Sequence, residues 1–297
     1  QLNTNSQIVR CGQFNADYAH PRSLQLGAST IYASAYWTIF TPGLAFDAGT
    51  SRIIMEGNGA SFASNGTSSI AYHDVLFSGQ GGTAGLHAIS ASFHRVTFRG
   101  NASISGNNSY GDMVLAEGKT YTFYAQSTHT FLDSLVATGH CLSPITIKSA
   151  TSTATFQKTS GSIEVEYAEL KGISATGGAS FLATACTDLG TNSGWTFLPA
   201  LPRTLYWVGG SGNWSDTSHW STSSGGPSGA CPPTPNDDVI FDPLSFPGGS
   251  DSVILSKKDS YCHDMTWMAV GLEPTFIGTA DRILHVFGSL QFQPLMD

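Results

Sequence analysis

Apolar and polar residues along this chain alternate over short runs, and no long segment carries apolar side chains at the i, i+3, i+4, i+7 spacing of a helix. Typical runs are Val75-Leu76-Phe77, Val96-Thr97-Phe98, Tyr121-Thr122-Phe123, Ile145-Thr146-Ile147, Ile163-Glu164-Val165-Glu166-Tyr167 and Val239-Ile240-Phe241. They are rich in β-branched and aromatic residues and are bounded by Gly, Asn, Ser or Asp, so they predict short strands separated by turns.

The runs also echo one another. Tyr72-His73-Asp74-Val75-Leu76-Phe77-Ser78-Gly79 matches Phe93-His94-Arg95-Val96-Thr97-Phe98-Arg99-Gly100 at an offset of 21 residues. A looser echo joins Val136-Ala137-Thr138-Gly139 to Ser174-Ala175-Thr176-Gly177. A period near 20 marks a solenoid, in which a coil buries its apolar side only by stacking on the next. The pattern therefore predicts an all-β fold, a right-handed parallel β-helix of about 14 coils. Val75 should stack on Val96 and Phe77 on Phe98, facing inward, with His73 and His94 stacked on the outer wall. A β-sandwich is the alternative, and it would need hairpin turns such as Asn65-Gly66.

One stretch departs from this pattern. Between 203 and 238 the chain carries Trp207, Trp214 and Trp220 among Gly, Ser and Pro. Proline cannot serve a central strand, so this stretch reads as a Trp/Gly/Pro-rich loop excursion. Coils occupy 1–202 before it and 239–297 after it. The three indoles either anchor the loop or, as candidate carbohydrate contacts, stack on sugar rings.

Composition narrows the function classes. Lys and Arg number 13, Asp and Glu 21, and the net charge is −8. That balance argues against nucleic acid, whose phosphates call for clustered Lys and Arg. No apolar run is long enough to insert in a membrane. The polar start at Gln1 shows no secretory signal, as expected of a mature chain or part of a longer one. The five cysteines lack zinc-finger spacing; they read as buried thiols or as one or two disulfides, with at least one thiol left over.

Candidates for chemistry are few. Asp237, Asp238 and Asp242 could supply paired carboxylates for acid–base hydrolysis or a cation site, but Asp in such a turn more often caps backbone N–H groups. Stacked His73 and His94 could hold a metal, although a structural ladder is the simpler reading. Gly210-Ser211-Gly212 lacks the helix that follows a nucleophile elbow. Asn65, Asn101, Asn107 and Asn213 match the glycosylation pattern by coincidence of composition. Thr151-Ser152-Thr153-Ala154-Thr155 invites an ice-binding reading, which requires a repeat on successive coils that is not visible. The expectation is a protein that is not an enzyme, with no catalytic residues, no metal and no cofactor. A polysaccharide-active β-helix lyase or hydrolase is the alternative.

A wider set of motifs carries a resemblance. Gly118-Lys119-Thr120-Tyr121-Thr122-Phe123, Leu135-Val136-Ala137-Thr138-Gly139, Ser143-Pro144-Ile145-Thr146-Ile147 and Tyr167-Ala168-Glu169-Leu170-Lys171 come first. Ala175-Thr176-Gly177-Gly178-Ala179 and Asp188-Leu189-Gly190-Thr191-Asn192-Ser193-Gly194-Trp195 follow, then Tyr206-Trp207-Val208-Gly209-Gly210 and Asp237-Asp238-Val239-Ile240-Phe241-Asp242. As an ordered series over about 24–297, they resemble the tandem repeats of giant Bacteroidota cell-surface adhesins, the SprB-like gliding-motility class. The resemblance implies an extracellular filament attached to the outer membrane and exported by type IX secretion. It implies neighbouring repeats of the same chain as partners, surface polysaccharide as a further one, and roles in attachment and gliding.

Overall fold

The computed structural model describes residues 1–66, 68–248, 250–268 and 273–292. The chain is a parallel β-solenoid of about 13 turns. Among the described residues the helical element is one short 3-10 turn, Thr217–His219, and no helix is long and apolar enough to cross a membrane. Two compact units are present, Gln1–Pro199 and Ala200–Asp297.

In the first unit, alternation produces the expected two-sidedness. Thr120–Phe123 points Tyr121 and Phe123 inward and leaves Thr120 and Thr122 half-buried. Parallel pairing then sets like on like. One inward row runs Val9, Ile31, Ile53, Val75, Val96, Met113 and Leu135, each in register with the next. A second row runs Met55, Phe77, Phe98 and Leu115. A third runs Phe14, Trp37, Phe62, Leu86, Ile104 and Phe123. Full burial of such a side chain contributes about 1.5–3 kcal/mol, and a row repeats that gain from one buried position to the next.

The echo between Tyr72–Gly79 and Phe93–Gly100 is a true coil step. Phe77 and Phe98 stack with ring centroids 4.7 Å apart, and Tyr72 stacks on Phe93 at 5.4 Å. Other steps differ in length. The coil that carries the inward row from Val96 to Met113 is shorter than the one before it, from Val75 to Val96, and the one after it, from Met113 to Leu135. Length changes are absorbed in turns, where extra residues cost little, while the ladder keeps its register. The ladders are parallel, so the sandwich alternative does not hold. Asn65 ends a strand, Ser61–Asn65, that pairs in parallel with the strand Thr30–Phe40, and Asn65-Gly66 makes no hairpin.

The second unit has its own core. Leu205, Val239 and Met265 form its inward row, which Leu290 continues in register at an exposed position, and the first step, from Leu205 to Val239, is the longest. That step contains the Trp-rich stretch. Rather than leaving the ladder at once, this stretch opens with the ladder strand Thr204–Trp207, which pairs in parallel with Asp238–Phe241. The chain then folds back so that Trp220–Ser221 runs antiparallel to Tyr206–Trp207. The boundary lies at Pro199, close to Pro202, two residues without the N–H that a ladder needs. Cys11, Cys186 and Cys262 are free thiols.

Candidate functional site

Trp207, Trp214 and Trp220 are the candidate carbohydrate contacts of the sequence. Trp207, Trp214 and Trp220 are 0, 2 and 0 % exposed. Trp220 packs edge-on against Trp207 at 5.1 Å and against Trp214 at 4.9 Å, and His219 stacks on Trp207. Two indole N–H groups donate to backbone carbonyls: Trp207 to Gly210 and Trp220 to Trp214, each at 2.7 Å. No indole face is open to a ring, so these residues anchor the segment and are not carbohydrate contacts. Indole density in the sequence pointed to them, but burial decides their role.

The three aspartates are committed to structure. Asp237 is fully buried and accepts from Arg203 through Nε at 3.0 Å and Nη2 at 2.7 Å. It also accepts from the Thr234 N–H and hydroxyl at 2.7 and 2.8 Å. Burial pushes its pKa up, but the Arg203 and Thr234 bonds outweigh burial and hold it below the ordinary carboxylate value. Asp242 accepts from the Leu244 N–H and from the Ser245 and Ser224 hydroxyls. Asp238 takes the Asp264 N–H at 3.2 Å and lies 3.1 Å from His263 Nδ1. These are the turn caps that the residue types suggest.

A second polar array lies on a corner of the first unit. Arg52, Asp74, Arg95, Asp112 and Ser134 face each other in ladder register across successive coils. Arg95 donates to Asp112 Oδ2 through Nη2 at 2.6 Å and Nε at 3.2 Å, and the Ser134 hydroxyl donates to Oδ1 at 2.6 Å. Bonds from Ser134 and Arg95 hold the Asp112 carboxyl below its ordinary value. Beside this row, His73 and His94 stack at 4.3 Å with 14° between rings. Their Nδ1 atoms lie 3.2 and 2.9 Å from Asp74 Oδ1. A shallow depression of about 220 Å³ is lined by Arg52, Asp74, Val75, Leu76, Arg95 and Thr97. The echo aligned His73 with His94 and Asp74 with Arg95, but the continuation of the charge row to Asp112 escaped it because the coil from Arg95 to Asp112 is shorter than the one before it.

Two further features were hidden in the sequence. The first is an uncharged hydroxyl wall. Thr128, Thr155, Ser174 and Ser193 stand in one outward row. Ser92, Ser109, Thr130, Gln157 and Thr176 form the row beside it. Thr155 of the Thr151–Thr155 run stands in the first of these mixed Ser/Thr rows, and the step from Thr128 to Thr155, longer than those that follow, conceals the row in the sequence. The second is His129, fully buried at an inward position, with Tyr110 Oη 3.2 Å from Nδ1 and Ser127 Oγ 2.8 Å from Nε2. Burial lowers its pKa to about 3, so it stays neutral inside the core.

No family model, no curated protein and no solved structure matches the chain.

Proposed function

We propose that this chain is a non-enzymatic repeat module of a long exported cell-surface adhesin filament, serving surface attachment and gliding motility. The observation that carries the reading is the continuous inward ladder. A row such as Val9 to Leu135 ties successive coils into one spine. Force along such a stack is shared by many parallel hydrogen bonds and by buried contacts in every coil. The carboxylates best suited to hydrolysis are spent on caps and on the Arg203 pair.

The edges supply the surface for neighbouring repeats. Ile8–Ala16 pairs on one side, with Thr30–Phe40, and its Val9 and Phe14 are only half-buried. In the second unit, Thr275–Ile277, Ile283–Val286 and Leu290–Gln291 also pair on one side among the described residues, and Ile283, Leu290 and Phe292 are exposed. Open parallel edges template further strands, and a coil of the same design fits them. The hydroxyl wall suits a neutral polysaccharide, because rows of Ser and Thr offer donors and acceptors without charge.

The test uses cells that make the full protein. An antibody against this chain should label intact cells, external protease should remove the label, and deletion of the gene should reduce attachment to polysaccharide-coated surfaces. Label confined to lysed cells, or shortening of polysaccharide chains by the purified protein, would overturn the reading.

A further inference from the structure

We infer that His73, Asp74 and His94 form a site for a divalent transition metal, with Zn²⁺ as the probe, and that the bound ion staples two successive coils. The inference stands apart from the adhesive role and rests on the corner alone.

Imidazole nitrogen and carboxylate oxygen bind zinc at about 2.0–2.2 Å, which sets tetrahedral donors about 3.3 Å apart. Asp74 Oδ1 lies 3.2 Å from His73 Nδ1 and 2.9 Å from His94 Nδ1, and all three donor atoms lie within 4.8 Å of one another. The His73 nitrogen gives a second, independent sign. Its Nδ1 is shielded from solvent yet makes no hydrogen bond, although Asp74 Oδ1 lies 3.2 Å away. An ion on that nitrogen would satisfy it.

The coil stack preorganises the donors. Tyr72 on Phe93 and Val75 on Val96 pin the backbone on either side of the corner, and all four are buried. Access remains open, since the His94 side chain is 58 % exposed and those of His73 and Asp74 are 30 % exposed. A water can complete the coordination. The rings are nearly parallel, so His94 must give up its 2.9 Å hydrogen bond with Asp74 and turn about Cβ–Cγ before both lone pairs meet on one ion, a turn that its exposure permits. Arg52 and Arg95 flank Asp74 in the ladder and oppose a cation. The two bonds from Arg95 to Asp112 draw one of those charges aside, and Arg52 keeps the affinity modest.

The second unit supplies a built-in comparison. Asp238, His263 and Asp264 also converge, but with a single imidazole. Their carboxylates already accept backbone N–H groups, Asp238 from Asp264 at 3.2 Å and Asp264 from Ser289 at 2.6 Å.

Titration calorimetry and thermal unfolding with zinc chloride test the site, on protein whose thiols are blocked with N-ethylmaleimide. One equivalent of Zn²⁺ should bind and raise the melting temperature, whereas Mg²⁺ should do neither. Replacing a second-shell partner commonly weakens a metal site about 10–100-fold, so losing a direct ligand in His94→Gln or Asp74→Asn should weaken it at least tenfold. His263→Gln should change it less than twofold. An unchanged circular dichroism spectrum of His94→Gln separates lost ligation from lost fold. Absence of saturable binding, full binding by His94→Gln, or loss in His263→Gln instead would overturn the inference.

Discussion

Replacing Phe98 by alanine probes the ladder where the sequence first revealed it. The side chain is 1 % exposed and lies between Phe77 and Leu115 in its row. It stacks on Phe77 at 4.7 Å and 13°, and meets Tyr121 at 6.0 Å and 59°. Truncating a buried phenylalanine costs about 3–5 kcal/mol, from lost transfer energy and the cavity left behind. The stacked pair accounts for about 0.5–1.5 kcal/mol of that. Phe98→Leu keeps most of the volume but loses the ring pair, so it should cost much less, about 1–1.5 kcal/mol. A double-mutant cycle with Phe77→Ala should return a coupling of about 1 kcal/mol, as neighbours in contact do. Urea denaturation followed by far-ultraviolet circular dichroism measures all of these proteins. A loss below about 1 kcal/mol for Phe98→Ala, or independent effects at 77 and 98, would refute stacking as the source of stability.

Four other outcomes are expected. The depressed pKa of His129, about 3 when folded against about 6.5 when unfolded, means the unfolded chain binds the extra proton first; stability should fall as pH drops from about 6.5 toward 3, by about 2–3 kcal/mol at pH 4.5, and His129→Phe should flatten that slope in urea melts. Asp237→Ala removes the carboxylate that pairs with a largely buried Arg203 and should cost about 3 kcal/mol, read as a lower urea midpoint with loss of the near-ultraviolet tryptophan signal. Gly106 has φ +86°, and a Cβ there would collide with the Ala88 carbonyl, so Gly106→Ala should lower the melting temperature well beyond Gly190→Ala, whose added Cβ meets nothing within 4 Å. Tryptophan emission should largely resist acrylamide and ignore soluble oligosaccharides, because Trp37, Trp207, Trp214, Trp220 and Trp267 are buried and Trp195 is half-buried; quenching as ready as that of free indole would contradict the packing.

Strand character, parallel stacking and one true coil step are legible in the local sequence. Strand alternation is a local property, since each side chain's face follows from its neighbours in the chain. The echo at Tyr72–Gly79 and Phe93–Gly100 survives because the whole strand repeats without an insertion, and it placed Val75 on Val96, Phe77 on Phe98 and His73 on His94. Tertiary structure decided what depends on turn length and burial. Coil steps of unequal length hide the charge ladder ending at Asp112, the hydroxyl rows through Thr155 and the first coil of the second unit. An indole reads the same in sequence whether it faces sugar or core, and only the fold-back of Trp220 onto Trp207 encloses it. Asp237 is likewise an ordinary turn aspartate until Arg203, far back along the chain, closes over it. Register joins residues across coils through backbone hydrogen bonds, so which residues become neighbours depends on the length of every turn between them.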